Sequence, residues 1–140
     1  MKVLGVNNKI FNFQVEKFQN NILQFVLETD HGEMMGELTF RIKNEKAWLY
    51  SIATMPEFQR KGVAQTLINI FECYCAKNRC DIVEGRYMPS NEHAYDFYHK
   101  NNYLVYKDGY EQYLYKKLNI KQILNNTKYQ FIKDEDLVVY

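Results

Sequence analysis

The run Ala47-Trp48-Leu49-Tyr50-Ser51-Ile52-Ala53-Thr54, followed after Met55-Pro56-Glu57-Phe58 by Gln59-Arg60-Lys61-Gly62-Val63-Ala64, decides the fold. The first stretch is almost continuously apolar and predicts a central strand. The second stretch opens a change of period. Val63, Leu67, Ile70, Phe71, Tyr74 and Cys75 fall at i, i+4, i+7, i+8, i+11 and i+12, one face of a helix from about Gly62 to about Asn78. A buried strand therefore passes into an amphipathic helix through a tight loop. The residues at 62 and 64 are small, which lets a ligand come close to the backbone. The first turn of a helix offers unpaired N–H groups and a positive dipole end, a ready site for phosphate. Arg60 and Lys61 add positive charge there. The same residues also suit a solvated strand–helix turn, and local chemistry leaves both readings open.

Upstream, the period is two. Phe11, Phe13 and Val15 alternate with Asn12, Gln14 and Glu16; Leu23, Phe25 and Leu27 with Gln24 and Glu28; Leu38, Phe40 and Ile42 with Glu37, Thr39, Arg41 and Lys43. This alternation predicts half-buried strands. Gln19-Asn20-Asn21, Asp30-His31-Gly32 and Lys43-Asn44-Glu45 supply the turns between them. Residues 9–54 thus read as a four-stranded antiparallel meander. Downstream, Asp81 to Tyr87 reads as a strand. Ala94, Phe97, Tyr98 and Asn101 return to helical spacing, with Ser90 or Asn91 as N-cap. Tyr103 to Tyr106 and Gln112 to Leu118 read as strands around Lys107-Asp108-Gly109. A short helix near Ile120 to Asn125 and a last strand near Asp136 to Tyr140 follow. The order ββββαβαββ plus a tail is that of an α+β domain.

Composition narrows the function classes. At 140 residues the chain makes one ordinary domain. Lys plus Arg number 18 and Asp plus Glu 17, so no bulk field draws the chain to nucleic acid or an anionic membrane. Apolar runs are far short of the roughly 20 residues that span a bilayer. The opening Met1-Lys2-Val3-Leu4-Gly5-Val6-Asn7 turns polar too soon for a signal peptide, so a cytoplasmic protein is expected. Cys73, Cys75 and Cys80 form an odd cluster and read as reduced thiols. Cys73 and Cys75 on one helix point to different faces and cannot chelate one metal together, so no metal is expected. Neither GxxxxGK[ST] nor GxGxxG occurs, which leaves a nucleotide-binding domain without its motif.

Two segments carry a family resemblance. Gln59, Gly62 and Ala64 are similar to the loop of the GNAT superfamily of N-acetyltransferases: Arg or Gln, two residues, Gly, one residue, then Gly or Ala. The stretch Ile52 to Phe58 looks like the strand exit before that loop. Asn91, Ala94 and Tyr98 resemble the family's later segment of Asn, two residues, Ala, three residues and Tyr. Tyr113 to Leu118 looks like its closing strand. The resemblance covers about residues 33–118. It departs from the pattern at Asn102, where Gly is usual; Asn tolerates the left-handed conformation of a helix end. It also departs at the start, where the family places one or two helices and this chain shows only strand-like text.

The resemblance implies a mixed, mostly antiparallel central sheet of about six to seven strands with helices on its faces, the N-terminal helices reduced or absent. It implies an acetyltransferase domain over 1–118; the tail over 119–140 carries Ile120, Ile123, Leu124, Phe131 and Leu137 to Tyr140, too much apolar surface to leave in water, and is expected to pack on the domain or in a dimer. Acetyl-CoA is the implied co-substrate and an amine the acceptor, in a monomer or homodimer. Backbone N–H groups of Arg60, Lys61, Gly62, Val63, Ala64 and Gln65 would hold the pyrophosphate, with Gln59 opening the loop. The backbone of Ile52, Ala53 and Thr54 would pair with the pantetheine arm, and an N–H there would polarise the thioester carbonyl. Asn91 would contact the same arm. Tyr98 matches the usual general acid for the departing thiolate; a core tyrosine is the other reading of the same residue. Reference pKa values of about 10 for a phenol and 8.5 for a thiol suit that transfer. Glu84 is the candidate base, or else a solvent-facing strand carboxylate. His93 and His99 fall on a surface helix as bystanders. The alternative function on this fold is a non-catalytic CoA-binding or protein-interaction module.

Overall fold

Alternating apolar residues and two changes of period build the sheet and helices of the computed structural model, which describes residues 1–87 and 92–125. The strands are β1 (Lys2–Leu4), β2 (Ile10–Lys17), β3 (Ile22–Glu28), β4 (Met34–Lys43), β5 (Lys46–Thr54), β6 (Ile82–Tyr87), β7 (Leu104–Asp108) and β8 (Glu111–Lys117). The helices are α1 (Val63–Lys77), α2 (Glu92–Lys100) and α3 (Ile120–Asn125). The sheet order is β1-β2-β3-β4-β5-β6-β8-β7. Every pair is antiparallel except β5–β6, which α1 joins as a parallel crossover. The described strands number eight rather than six to seven, because Lys2–Leu4 adds an edge to β2. A three-residue strand is too short to show a period. The four-stranded meander is present as expected, and its turns use left-handed residues: Asn20 and Asn21, Gly32, and Asn44 and Glu45. The expected strand at 136–140 lies outside the described residues, as does the expected cap of α2.

The core lies between the sheet and α1. Phe13, Phe25, Phe40 and Phe71 are fully buried, and Phe25, Phe40, Phe71 and Tyr74 meet edge to face at 4.9–5.5 Å between ring centroids. Helix α3 packs on α1, and its Ile123 rests against the core. Asn119 caps α3 through its side chain, which accepts from Gln122 N at 3.0 Å. Glu72 of α1 holds Lys116 of β8 at 3.0 Å and accepts from Tyr103 Oη at 2.8 Å, tying the helix layer to the far strands.

Two local features open a fork in the sheet. Thr39 pairs with Ser51 and Phe40 with Leu49, so Tyr50 is an extra residue in β5. Such a bulge bends and twists the strand that carries it. Beside it, β5 and β6 stay paired only from Lys46–Ile82 to Leu49–Gly85. At that last pair the backbones approach closely: a Cβ on Gly85 would lie 2.6 Å from Leu49 O. Beyond it the strands part. On that side, Tyr50 to Thr54 has no strand partner among the described residues.

The candidate active site

The fork leads into a cleft of about 430 Å³, within the size range of small-molecule sites. Ile52 and Thr54 of β5 line one wall, the loop residues Gln59, Arg60 and Gly62 and the first turn of α1 the second, and Ala94, Phe97, Tyr98 and Lys100 of α2 the third. The loop geometry is built for an anion. Arg60 and Gly62 both take left-handed backbone, at φ 62° and 78°. Alternation of that kind turns successive N–H groups toward one concavity. Gly62 is the N-cap of α1 and has no side chain to satisfy the first turn. The first helical bond beyond it is Thr66 N to Gly62 O at 3.0 Å, so the N–H groups of Val63, Ala64 and Gln65 have no partner within the helix. The first turn carries no acidic residue, and Arg60 and Lys100 place cations on the cleft wall.

The structure brings most of the expected site residues together. Ile52, Thr54, Gln59, Arg60, Gly62, Val63, Ala64, Gln65 and Tyr98 share the cleft. Ala53 belongs to the same strand but alternates onto the opposite sheet face, where its register partner is Glu37. Lys61 does not line the cleft; its ammonium lies over the Phe58 ring, 5.6 Å from the centroid. Asn91 lies outside the described residues. Glu84 stands apart from the cleft. It pairs with Trp48 in the joined part of β5–β6, on the face opposite buried Val83 and Gly85, and its carboxylate is 3.6 Å from Lys46 Nζ. His99 stacks on Tyr95 at the surface. Sequence reading placed Ala94 and Phe97 on the apolar face of α2 without giving them a site, and it passed over Lys100. A lysine at a helix end has no local mark that sets it apart.

Tyr98 is 7% exposed, packed edge to face between Tyr87 and Tyr103. Its hydroxyl makes no hydrogen bond to a described residue, and its side chain lines the cleft. Burial pushes its phenol up to about 12, so it stays protonated throughout the neutral range. Helix α2 presents it because the helix ends in a Schellman motif: Tyr103 N donates to Tyr98 O at 2.9 Å and Asn102 N to His99 O at 3.0 Å. Asn102 takes the left-handed position at φ 66°, doing what Gly would do there. Gln65 and Asn101 bond reciprocally at 2.7 and 3.1 Å and fix α2 beside the first turn of α1.

Among the described residues, no group of three or more His, Cys, Asp or Glu side chains could hold a metal. No helix among them is long and apolar enough to cross a membrane. Cys73, Cys75 and Cys80 are buried free thiols. Burial pushes the Cys75 thiol well up, while its hydrogen bond to Cys80 draws the Cys80 thiol down.

The model of the acetyltransferase (GNAT) family matches residues 7–103, and the chain belongs to that family. No curated protein sequence matches the chain. Among solved structures it is similar to the PaiA N-acetyltransferase from Thermoplasma acidophilum in complex with coenzyme A, at 26% identity and a TM-score of 0.64, over 69% of this chain and 61% of that one. The chain thus spans about three-fifths of that relative's length. It shares the fold of the ribosomal-protein-S18-alanine N-acetyltransferase from Escherichia coli, at 20% identity and TM-score 0.62, over 72% of this chain and 70% of that one. It also shares the fold of the spermidine/spermine N-acetyltransferase SpeG from Vibrio cholerae, at 22% identity and TM-score 0.59, over 76% and 72% of the two chains.

Proposed function

We propose that the protein transfers the acetyl group of acetyl-CoA to a primary amine by direct attack in a ternary complex. The observation that carries this is the continuity of the cleft: an unpaired strand edge, Tyr50 to Thr54, runs into a left-handed loop and the open first turn of α1. The strand edge suits the amides of a pantetheine arm, and the loop suits its pyrophosphate, with Arg60 and Lys100 as counter-charges. The relative from Thermoplasma acidophilum, whose crystal structure contains coenzyme A, supports the choice of ligand.

In this reading an unpaired N–H of β5 polarises the thioester carbonyl. The amine lone pair attacks that carbon, the C–N bond forms and the C–S bond breaks, with its electron pair leaving on sulfur. Tyr98 offers its phenolic hydrogen to the departing thiolate. A phenol near 12 is a weak acid, so its main contribution is a hydrogen bond to sulfur as charge develops, with the proton completing its transfer as the thiolate loses solvent. The amine releases one proton. That proton leaves through water in this reading, because Glu84, the base expected from the sequence, faces away from the cleft and pairs with Lys46. In this reading residues 1–118 form the catalytic unit, and 119–140 are a tail packed on the domain or in a dimer.

Mixing the protein with acetyl-CoA and a panel of primary amines, while titrating free thiol and weighing the amines, tests the proposal. Thiol release matched by a gain of one acetyl group on an amine is the expected result. Coenzyme A binding with no thiol released from any amine would make the fold a CoA-binding module instead.

A further inference from the structure

The phosphate loop does not hold itself. Gly62 has left-handed backbone, and a Cβ there would overlap Val6 Cγ2, so the turn at Val6–Asn8 sits directly against the loop. One buried hydroxyl joins the two. Thr66, fully buried in α1, donates from Oγ1 to Gly62 O at 2.7 Å and accepts from Val6 N at 3.2 Å. The fit is tight on the other side as well: a Cβ on Gly5 would lie 2.6 Å from Thr66 Oγ1. A third tie runs from Lys9 Nζ to Lys61 O at 3.3 Å. The turn is itself anchored. Gly5 N donates to Lys9 O at 2.6 Å, and Val3 and Phe11, register partners in β1–β2, are buried in the core. Three contacts, from residues 6, 9 and 66, therefore converge on the carbonyls and backbone of 61 and 62.

We infer that the N-terminal segment Gly5–Lys9, acting through Thr66, is a positioning strap for the anion loop. It fixes Lys61–Gln65 with their N–H groups turned into the cleft before any ligand arrives. Thr66 is the residue on which this rests. Its hydroxyl is the sole protein donor to Gly62 O besides the helical N–H, among the described residues. The physical consequence is selective. Pre-ordering the loop removes part of the ordering cost of binding, and only for the portion of a ligand that the loop holds. The inference rests on the proposed role of the loop as a pyrophosphate site, and it makes a claim about the free protein that does not need that role.

The test uses the full chain, with Thr66→Val removing the hydroxyl at nearly constant shape and Thr66→Ser restoring it. In the ligand-free protein, backbone 15N order parameters at Lys61–Gln65 are expected to fall in Thr66→Val and to return in Thr66→Ser, with the β3–β4 amides unchanged. Calorimetry then compares coenzyme A with pantetheine, which lacks the pyrophosphate. Thr66→Val is expected to weaken coenzyme A about five- to tenfold, the usual weight of one hydrogen bond, and to leave pantetheine within twofold. Equal losses for both ligands, or order at 61–65 that does not change, would overturn the strap. If the order parameters respond as stated but the wild type binds no coenzyme A, the strap stands and the pyrophosphate reading falls.

Discussion

At the scale of single residues, Tyr98 and Gly62 show how one atom group is set by its surroundings. Tyr98 keeps its proton because the ring stack of Tyr87 and Tyr103 excludes water from its phenolate. Replacing it with Phe keeps the packing and removes the hydrogen. Turnover is expected to fall by about 10²–10⁴-fold, with coenzyme A affinity within a few-fold. Steady-state kinetics beside calorimetry checks this; an unchanged kcat would make Tyr98 a packing residue. The sign of its titration is also fixed. A phenol at about 10 unfolded and about 12 folded holds its proton longer in the native state. It therefore adds stability that is fully present below pH 10 and is lost as pH rises toward 12. Alkaline melts of Tyr98→Phe should show a shallower loss over that window. Gly62 is demanded twice, by φ 78° and by the Val6 contact. Gly62→Ala is expected to cost about 1–2 kcal/mol from the left-handed backbone alone, and more from the overlap. Adding Val6→Ala should recover part of the second cost and none of the first, which a double-mutant cycle of thermal melts resolves.

Elements end where left-handed residues let them end, and two of those residues are poor choices for the task. Helix α1 closes with a Schellman pattern, Cys80 N to Cys75 O at 2.8 Å and Arg79 N to Ala76 O at 3.1 Å, around Arg79 at φ 58°. The β4–β5 hairpin turns on Asn44 and Glu45 at φ 54° and 65°, a type I′ turn whose second position favours Gly. Both side chains are exposed. Arg79→Gly and Glu45→Gly are each expected to add about 1 kcal/mol, raising the melting temperature by about 3–5 °C. Differential scanning calorimetry on the two variants and their combination checks the size and the additivity. A fall in either would mean that the lost side chain makes a contact worth more than the backbone strain.

For the whole molecule, the placement of the helices decides which surface is free. Helices α1 and α2 lie side by side on one face, joined by Gln65 and Asn101, with α3 packed on α1. The other face presents a polar network instead: Ser51 Oγ donates to Glu37 at 3.1 Å, Thr39 Oγ1 at 2.7 Å and Gln24 Nε2 at 3.3 Å. The expectation of missing N-terminal helices agrees with this: between β1 and β5 the chain has only single turns, at Val6–Asn8 and Gln19–Asn21. A chain ending at Leu118 would lose α3 and expose the core beneath Ile123. It is expected to melt several degrees lower, by the partial burial of one large aliphatic side chain. It should bind acetyl-CoA as the full chain does, because every described residue lining the cleft precedes 101. Calorimetry on both chains checks this, and identical melting would leave the tail without a stabilising role.

Periodicity by itself determined the meander, both long helices and the crossover loop, since burial on one face writes a period of two or 3.6 directly into the chain. The family resemblance carried by Gln59, Gly62, Ala64 and the later Tyr98 marked most of the cleft wall, where local chemistry left the loop open between a phosphate site and a solvated turn. Tertiary structure alone decided the rest. The fork depends on Tyr50 being out of register with β4 and on β6 leaving β5 after Gly85, and pairing between distant strands has no local signature. The approach of Val6 to Gly62 spans more than fifty residues, and the 60-residue separation between Val6 and Thr66 hides their hydrogen bond in the same way. Glu84 read as a neighbour of the site because its strand borders the fork. Strand alternation turned its side chain to the opposite face, where Lys46 takes it.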